Sequence, residues 1–370
     1  MERYIGIMSG TSMDGIDVVL VAFENDKIQD VRLHTQSFPG KLKAALTALI
    51  TTYQTSLEKI GETERRLTLC YADAVHQLLI KSGINSEDVI AMGCHGQTVF
   101  HAPVGRFPFT MQLVDGNLLA AKTGIRTVVD FRRMDMAFGG QGAPLVPAFH
   151  QAFLKSRQEN RVILNLGGIA NITVLSDDDD KVLGFDTGPA NCLMDAWIQY
   201  IKGEKFDKDG GWAASGHIIP ALLEKMLGEN YFSLSAPKST GRELFNLDWL
   251  NRHLKEIKEF KNEDVQATLL ELTATSVAEA VKKYAPDTNA MYVCGGGAFN
   301  QFLMKRFGFH LPGIRVSGTE KLGLPPQQVE ATAFAWLAMR RIKNLSGNLP
   351  SVTGAGRKVL LGTIYDPRAF

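Results

Sequence analysis

The sequence predicts an α/β protein of two units, with mixed sheets of three antiparallel strands plus parallel strands, flanked by helices. Two stretches far apart in the chain each read as a three-stranded meander with a glycine-bearing first turn. One is Tyr4 to Phe38 around the stretch Gly6 to Asp17; the other is Val162 to Phe185 around Gly167-Gly168. Each is followed by segments of helical periodicity alternating with short apolar runs of strand length. The length of 370 residues and the hydrophobic fraction of 45% are those of a protein that buries substantial cores in more than one domain.

Net charge is +1 and Lys/Arg are interleaved with Glu/Asp, so neither a nucleic acid nor an anionic membrane is an expected partner. Cys70, Cys94, Cys192 and Cys294 lie far apart with no Cys-x-x-Cys pair, which reads as buried thiols in a reducing cytosol. The chain starts a strand almost at once, and no apolar run approaches the ~18 residues of a membrane span, so a cytoplasmic protein is expected.

In the first unit, Tyr4 to Met8 and Val18 to Phe23 are apolar runs of strand length around Gly-Ile-Met-Ser-Gly-Thr-Ser-Met-Asp-Gly-Ile-Asp. Small residues at Ser9, Gly10, Thr11 and Ser12 let backbone N–H groups and hydroxyls approach an anion, although the same composition also makes an ordinary turn, and the spacing is not that of a Walker A loop. Val31 to Phe38 completes the meander before Pro39-Gly40 breaks it. Helices over Lys41 to Thr51 and Leu57 to Lys81 follow, the second closed by Gly83. Val89 to Cys94 is a strand running into His95-Gly96-Gln97-Thr98, where His95 is either a hydrogen-bonded structural residue or a substrate contact. A strand at Phe109 to Gln112, a helix from Gly116 capped by Asp115, and a strand at Thr127 to Val129 end the unit. The composition shift at Asp130 to Pro147 is read as the crossing to the next.

The pattern restarts with strands at Val162 to Leu166, Ile169 to Leu175 and Val182 to Phe185, an internal repeat of architecture. The run Asp177 to Asp180 reads as a solvated turn, since metal ligands need alternation and a rigid frame. Asp186 then stands at a strand end beside Gly188-Pro189, either capping the turn or serving as a general base. A helix starts at Asn191, and residues 203 to 247 are polar and mixed, their loop Pro237 to Phe245 bordering a cleft or not. Helices at Leu247 to Phe260 and Val265 to Tyr284 follow. The strand Met291 to Cys294 delivers Gly295-Gly296-Gly297, a side-chain-free surface on which a flat ligand could lie. A helix over Gln327 to Lys343 carries Glu330 in its first turn, the tail from Ser346 is a loop, and Val359 to Leu361 closes as a strand.

Two glycine-tipped meanders with a late triple glycine resemble the acetate and sugar kinase, Hsp70 and actin superfamily, whose two RNase H-like domains close on ATP. The blocks at 6–17, Cys-His-Gly-Gln-Thr at 94–98, Asn-Leu-Gly-Gly-Ile-Ala-Asn-Ile-Thr at 165–173, Gly-Phe-Asp-Thr-Gly-Pro-Ala-Asn at 184–191 and Cys-Gly-Gly-Gly-Ala-Phe-Asn at 294–300 together resemble the anhydro-N-acetylmuramic acid kinase family. That resemblance implies an ATP cleft between the domains and an ATP-dependent opening of the 1,6-anhydro ring with phosphorylation of O6, in cell-wall recycling. It makes Asp186 the base. Gly10, Thr11, Ser12, Met13, Asp14, Gly15, Ile16 and Asp17, with Gly167 and Gly168, would cradle the ATP phosphates, and Gly295, Gly296, Gly297 and Asn300 would face the adenosine. His95, Gln97, Thr98 and Glu330 are expected at the sugar, and a homodimer is implied. The domains would be 1–130 plus about 349–370, and 131–348. The superfamily usually has an aspartate for hydrated magnesium where this chain has Met8; Asp14 or Asp17 substitutes, or Mg2+ is held by ATP and water. The alternatives are a kinase of the same fold for another sugar or a carboxylate, and an ATP-dependent sugar-sensing regulator.

Overall fold

The computed structural model describes residues 1–10, 13, 15–25, 27–52 and 54–367. The chain divides into two compact units, Met1–Phe153 with Gln328–Phe370, and Leu154–Gln327. No described helix is long and apolar enough to cross a membrane.

In the first unit, β1 (Glu2–Met8), β2 (Ile16–Glu24) and β3 (Lys27–Gln36) form an antiparallel meander. β4 (Ala91–Cys94) pairs parallel to β1, and β7 (Thr127–Val129) parallel to β4. Between them, β5 (Gln97–Ala102) and β6 (Phe109–Leu113) make a separate two-stranded ribbon. The strand order is therefore β3-β2-β1-β4-β7, with β13 (Thr363–Tyr365) added antiparallel at the edge. The expected closing strand at Val359 to Leu361 is displaced to β13: Val359 and Leu361 are apolar because they are buried, and Gly362 at φ +90° turns the chain before it pairs.

The helix Leu57–Ser82 obeys its sequence signals: Ser56 accepts from Lys59 N–H at 3.2 Å, and Gly83 ends it in the left-handed region. Gly116–Thr123 starts on Asp115, whose side chain accepts from Leu118 N–H, and ends on Gly124. The helix Val329–Ile342 has apolar residues all round, and its long buried run fits a segment packed inside a core. It lies so close to β1 and β4 that a Cβ at Gly6 would overlap Ala331 O, and one at Gly93 would overlap Phe334 O. Gly6 is thus a packing residue, although in sequence it reads as part of an anion-binding turn.

The boundaries differ from those expected at 130/131 and 348/349. Asp130 to Pro147 belongs wholly to the first unit because Asp135, fully buried, ties it to the C-terminal segment. Its carboxylate accepts from Gly142 N–H at 2.8 Å, Asn348 Nδ2 at 2.8 Å and Thr353 Oγ1 at 2.7 Å. The Val329–Ile342 helix joins the same unit through its packing on β1 and β4.

The second unit repeats the plan. β8 (Arg161–Leu166), β9 (Ile169–Val174) and β10 (Leu183–Pro189) form a meander, and β11 (Ala290–Cys294) and β12 (Arg315–Gly318) extend it in parallel. The order β10-β9-β8-β11-β12 is the first sheet's order again. Asp177 to Asp180 forms the expected turn, in which Asp178 accepts from Asp180 N–H at 3.0 Å and Lys155 pairs with Asp177 at 3.2 Å. The long helix Asn262–Tyr284 crosses this core with acidic residues in its first turn and lysines in its last, as its macrodipole favours. Its N-cap position is Lys261, which makes no side-chain capping bond.

Candidate active site

Asp186 lies on β10 at a register shift between Asp186 and Gly188, where the pairing with β9 skips a residue. The loop Pro237 to Phe245 holds it from both sides. Asp186 N–H donates to Lys238 O at 3.0 Å, and Thr240 N–H donates to Asp186 Oδ2 at 3.0 Å. Tyr231 O–H donates to the Asp186 carbonyl at 2.6 Å. Burial pushes the carboxyl up to about 6; the Thr240 N–H opposes this and the charge of Glu243 adds to it. The strand expected to end at Phe185 runs on through Gly188-Pro189, so Asp186 stands inside β10 beside its irregularity and not at a strand end; a carboxylate fixed there, ionised at neutral pH yet basic enough to take a proton, suits general-base work.

The hairpin tip between β8 and β9 is docked through its carbonyls. Gly167 O accepts from Asn191 N–H at 3.1 Å and from Asn191 Nδ2 at 2.8 Å, and Gly168 O accepts from the N–H groups of Ala190 and Cys192, each at 3.0 Å. Neither glycine N–H donates to a protein acceptor among the described residues. A pair of rigidly held, unspent N–H groups is what an anion cradle requires.

The triple glycine is more structural than its sequence suggests. A Cβ on Gly295 would come within 2.6 Å of Asn165 Oδ1, and one on Gly297 within 2.6 Å of Leu166 Cβ, whereas Gly296 faces open space. Two of the three glycines let the turn pack on the end of β8, and only Gly296 presents a bare surface. Asn300 caps the helix Gln301–His310, its Oδ1 accepting from Leu303 N–H at 2.9 Å.

In the first unit, Thr11, Ser12 and Asp14 lie outside the described residues. Of the rest of that turn, Met13 takes φ +53° with its N–H donating to Gly10 O at 3.0 Å, and the side chains of Met13 and Ile16 are buried. Whatever these two contribute to a ligand comes from their backbone. Asp17 accepts from Thr35 Oγ1 at 2.6 Å. Among the described residues no group of three or more His, Cys, Asp or Glu is placed to hold a metal ion, so they offer no preformed magnesium cage and no step below runs through the ion.

The substrate candidates come together in part. His95 continues β4, its N–H donating to Ile7 O at 3.1 Å. Its Nε2 accepts from Arg132 Nε at 3.1 Å and Nη2 at 2.7 Å, which places its own proton on Nδ1. Burial, with the Arg132 charge second, holds its pKa well below the ordinary histidine range, so it stays neutral and does not act as an acid. Burial brings Arg132 down to about 10, against the nearby charges of Glu330 and Asp135. Gln97 is fully buried, its Nε2 reaching Gly10 O at 3.4 Å while its Oε1 has no partner among the described residues. Thr98 Oγ1 accepts from Gln112 Nε2 at 3.2 Å on the ribbon. Arg132, Tyr231 and Glu243 are not singled out in sequence, and Arg242 is marked there only as a member of the loop Pro237 to Phe245; each sits in a stretch read as a crossing or as an undecided loop, with no periodicity to mark it.

Two sheets of the same order, glycine hairpins between first and second strands, and a loop-held carboxylate on the third strand of the second sheet are the arrangement expected of a two-domain kinase of the sugar-kinase and actin-like class. Residues 2–367 match the family model described as Anhydro-N-acetylmuramic acid kinase. Relatives of that name from Aliivibrio fischeri (strain ATCC 700601 / ES114) and Shewanella sp. (strain MR-4) are each 51% identical, over 99% of this chain and 99% of their own length. The chain belongs to the anhydro-N-acetylmuramic acid kinase family. Among solved structures, component A of (R)-2-hydroxyglutaryl-CoA dehydratase from Acidaminococcus fermentans is similar at 11% identity and a TM-score of 0.47, covering 90% of this chain and 96% of that one. A likeness of that strength carries no functional statement.

Proposed function

We propose that this chain uses ATP and water to convert 1,6-anhydro-N-acetylmuramic acid to N-acetylmuramic acid 6-phosphate and ADP. Asp186 takes a proton from water as the water oxygen bonds to C1. The C1–O6 bond breaks, O6 bonds to the γ-phosphorus, and the bond from that phosphorus to the β,γ-bridging oxygen breaks as ADP leaves. Base catalysis contributes typically about 100- to 10,000-fold; the remainder comes from positioning and from charge placed around the phosphoryl group. The observation that carries the base assignment is the carboxylate of Asp186, oriented by Thr240 N–H and raised to about 6.

Gly10, Gly15, Gly167 and Gly168 serve the phosphates, a role supported for the last two by their unspent N–H groups. Gly296 serves the adenosine, and His95, Gln97, Thr98 and Glu330 serve the sugar. Magnesium arrives with ATP and keeps several waters. The four cysteines, all buried and none of them in a disulfide, support a reducing, cytoplasmic setting.

Turnover of the anhydro-sugar with ATP in 18O-labelled water, quenched early, tests the reading. One labelled oxygen at C1 and none in the phosphoryl group is expected. An unlabelled product would reject hydrolytic ring opening in favour of a simple kinase.

A further inference from the structure

We infer that Arg242 is a catalytic residue, the cation that the second unit places on the transferring phosphoryl group. The inference rests on the kinase reading above. Two facts of placement carry it. The guanidinium of Arg242 lies over the Gly167-Gly168 tip: a Cβ built on Gly168 would sit 3.6 Å from both Nε and Nη2. Glycine at this position is what leaves the space beside the guanidinium open. The tip's carbonyls are all turned toward Ala190, Asn191 and Cys192, so it presents its two N–H groups, and the arginine stands beside those donors.

The second fact is how the arginine is held. It is carried by the same loop that grips Asp186, two residues beyond the Thr240 N–H that binds the Asp186 carboxylate. The backbone carbonyl of Arg242 accepts from Asn246 Nδ2 at 3.1 Å, and Asn246 in turn caps the helix Leu247–Leu254, its side chain accepting from Trp249 N–H at 2.9 Å. The loop is thus anchored at both ends while the Arg242 side chain remains exposed. Among the described residues its guanidinium makes no ion pair, although Glu243 is its neighbour in sequence; the Glu243 carboxylate folds back onto Gly241 instead.

An arginine with its planar fork free, beside two unspent N–H groups, matches the oxygens of a phosphoryl group in flight. The loop then couples the two half-reactions: its backbone orients the base that admits water to C1, and its arginine receives the charge that spreads over the phosphoryl oxygens as O6 attacks. The anhydro-sugar also carries a lactyl carboxylate, the one other anion of the reaction that a guanidinium would bind.

The test measures kcat and KM for Arg242→Ala and Arg242→Lys, with the anhydro-muramic sugar and with the same ring lacking its lactyl group. We expect Arg242→Ala to lower kcat about 100-fold or more with both sugars, with KM for the sugar within about threefold, Arg242→Lys intermediate, and added guanidinium restoring part of the Ala variant's rate. The exposed position keeps both variants folded, checked by unchanged thermal unfolding. A variant within threefold of wild-type kcat would overturn the inference alone. A loss confined to the lactyl-bearing sugar would assign Arg242 to the carboxylate and overturn it as well. Wild-type protein that forms no phosphorylated sugar would overturn the kinase reading and this one together.

Discussion

The two units share one strand order and each carries a charged cluster, His95 and Arg132 beyond the ends of β4 and β7 in the first and Asp186 within β10 in the second, and the clusters are built in opposite ways. In the first, His95 is buried with Arg132 half-buried beside it: Arg132 gives Nε and Nη2 to His95 Nε2, and Nη1 to Gly142 O at 2.7 Å, while His95 Nδ1 has no partner among the described residues. In the second, Asp186 is held by backbone groups of a loop, and the Arg242 side chain on that loop is exposed and makes no ion pair among the described residues. A network of this kind fixes shape, because a charge drawn partly out of water is costly without its partners. A loop-held charge is free to react. On the proposed function, the first unit would supply recognition geometry and the second the chemistry.

Breaking the His95–Arg132 network is expected to have the largest effect on stability. Arg132→Met removes both donors to His95 Nε2 and the donor to Gly142 O, and we expect a loss of about 3 kcal/mol in urea unfolding. An unchanged midpoint would mean that the network is not structural. The loop-held site predicts a change of the opposite sign. The Asp186 carboxyl rises from 3.8 to about 6 on folding, so its contribution to stability is fully present below about pH 4 and is lost as pH rises through about 6. Asp186→Asn is therefore expected to be more stable than wild type by up to about 3 kcal/mol at pH 8, and that advantage is expected to shrink toward pH 4. An advantage independent of pH would break the link to ionisation. The smallest effect is expected for Tyr231→Phe, which removes the donor to the Asp186 carbonyl and costs about 1 kcal/mol, with kcat lowered several-fold through a less fixed base. A variant with unchanged kcat would show that the loop alone positions Asp186.

Much of this was legible in sequence because local physics decides it. Alternating and continuous apolar runs mark the two meanders, Asp115, Gly83 and Gly124 mark helix ends, and Asp186 is conspicuous as a carboxylate between a strand and a Gly-Pro turn. What escaped depends on contacts distant in the chain. Gly6 reads as turn chemistry but is glycine because the backbone of Ala331 lies against it. The Asp130 to Pro147 stretch looks like a linker until Asn348 and Thr353 are seen bonded to Asp135. Gly295 and Gly297 suggest a ligand surface but meet Asn165 and Leu166 instead. Arg242 gives no local signal: an arginine in a polar loop becomes notable only once the Gly168 tip is beneath it.

The central claim, that the loop-held carboxylate of the second unit is the base, is tested most directly by the pH dependence of kcat/KM for the anhydro-sugar in wild type and Asp186→Asn. Wild type is expected to rise tenfold per pH unit below about 6 and level off above it, since only the ionised carboxylate takes the proton from water. Asp186→Asn is expected to lose about 1,000-fold of turnover and the titration with it, while calorimetry finds ATP and the sugar binding as before. An Asn variant that keeps near-normal turnover, or keeps the same titration, would contradict the account.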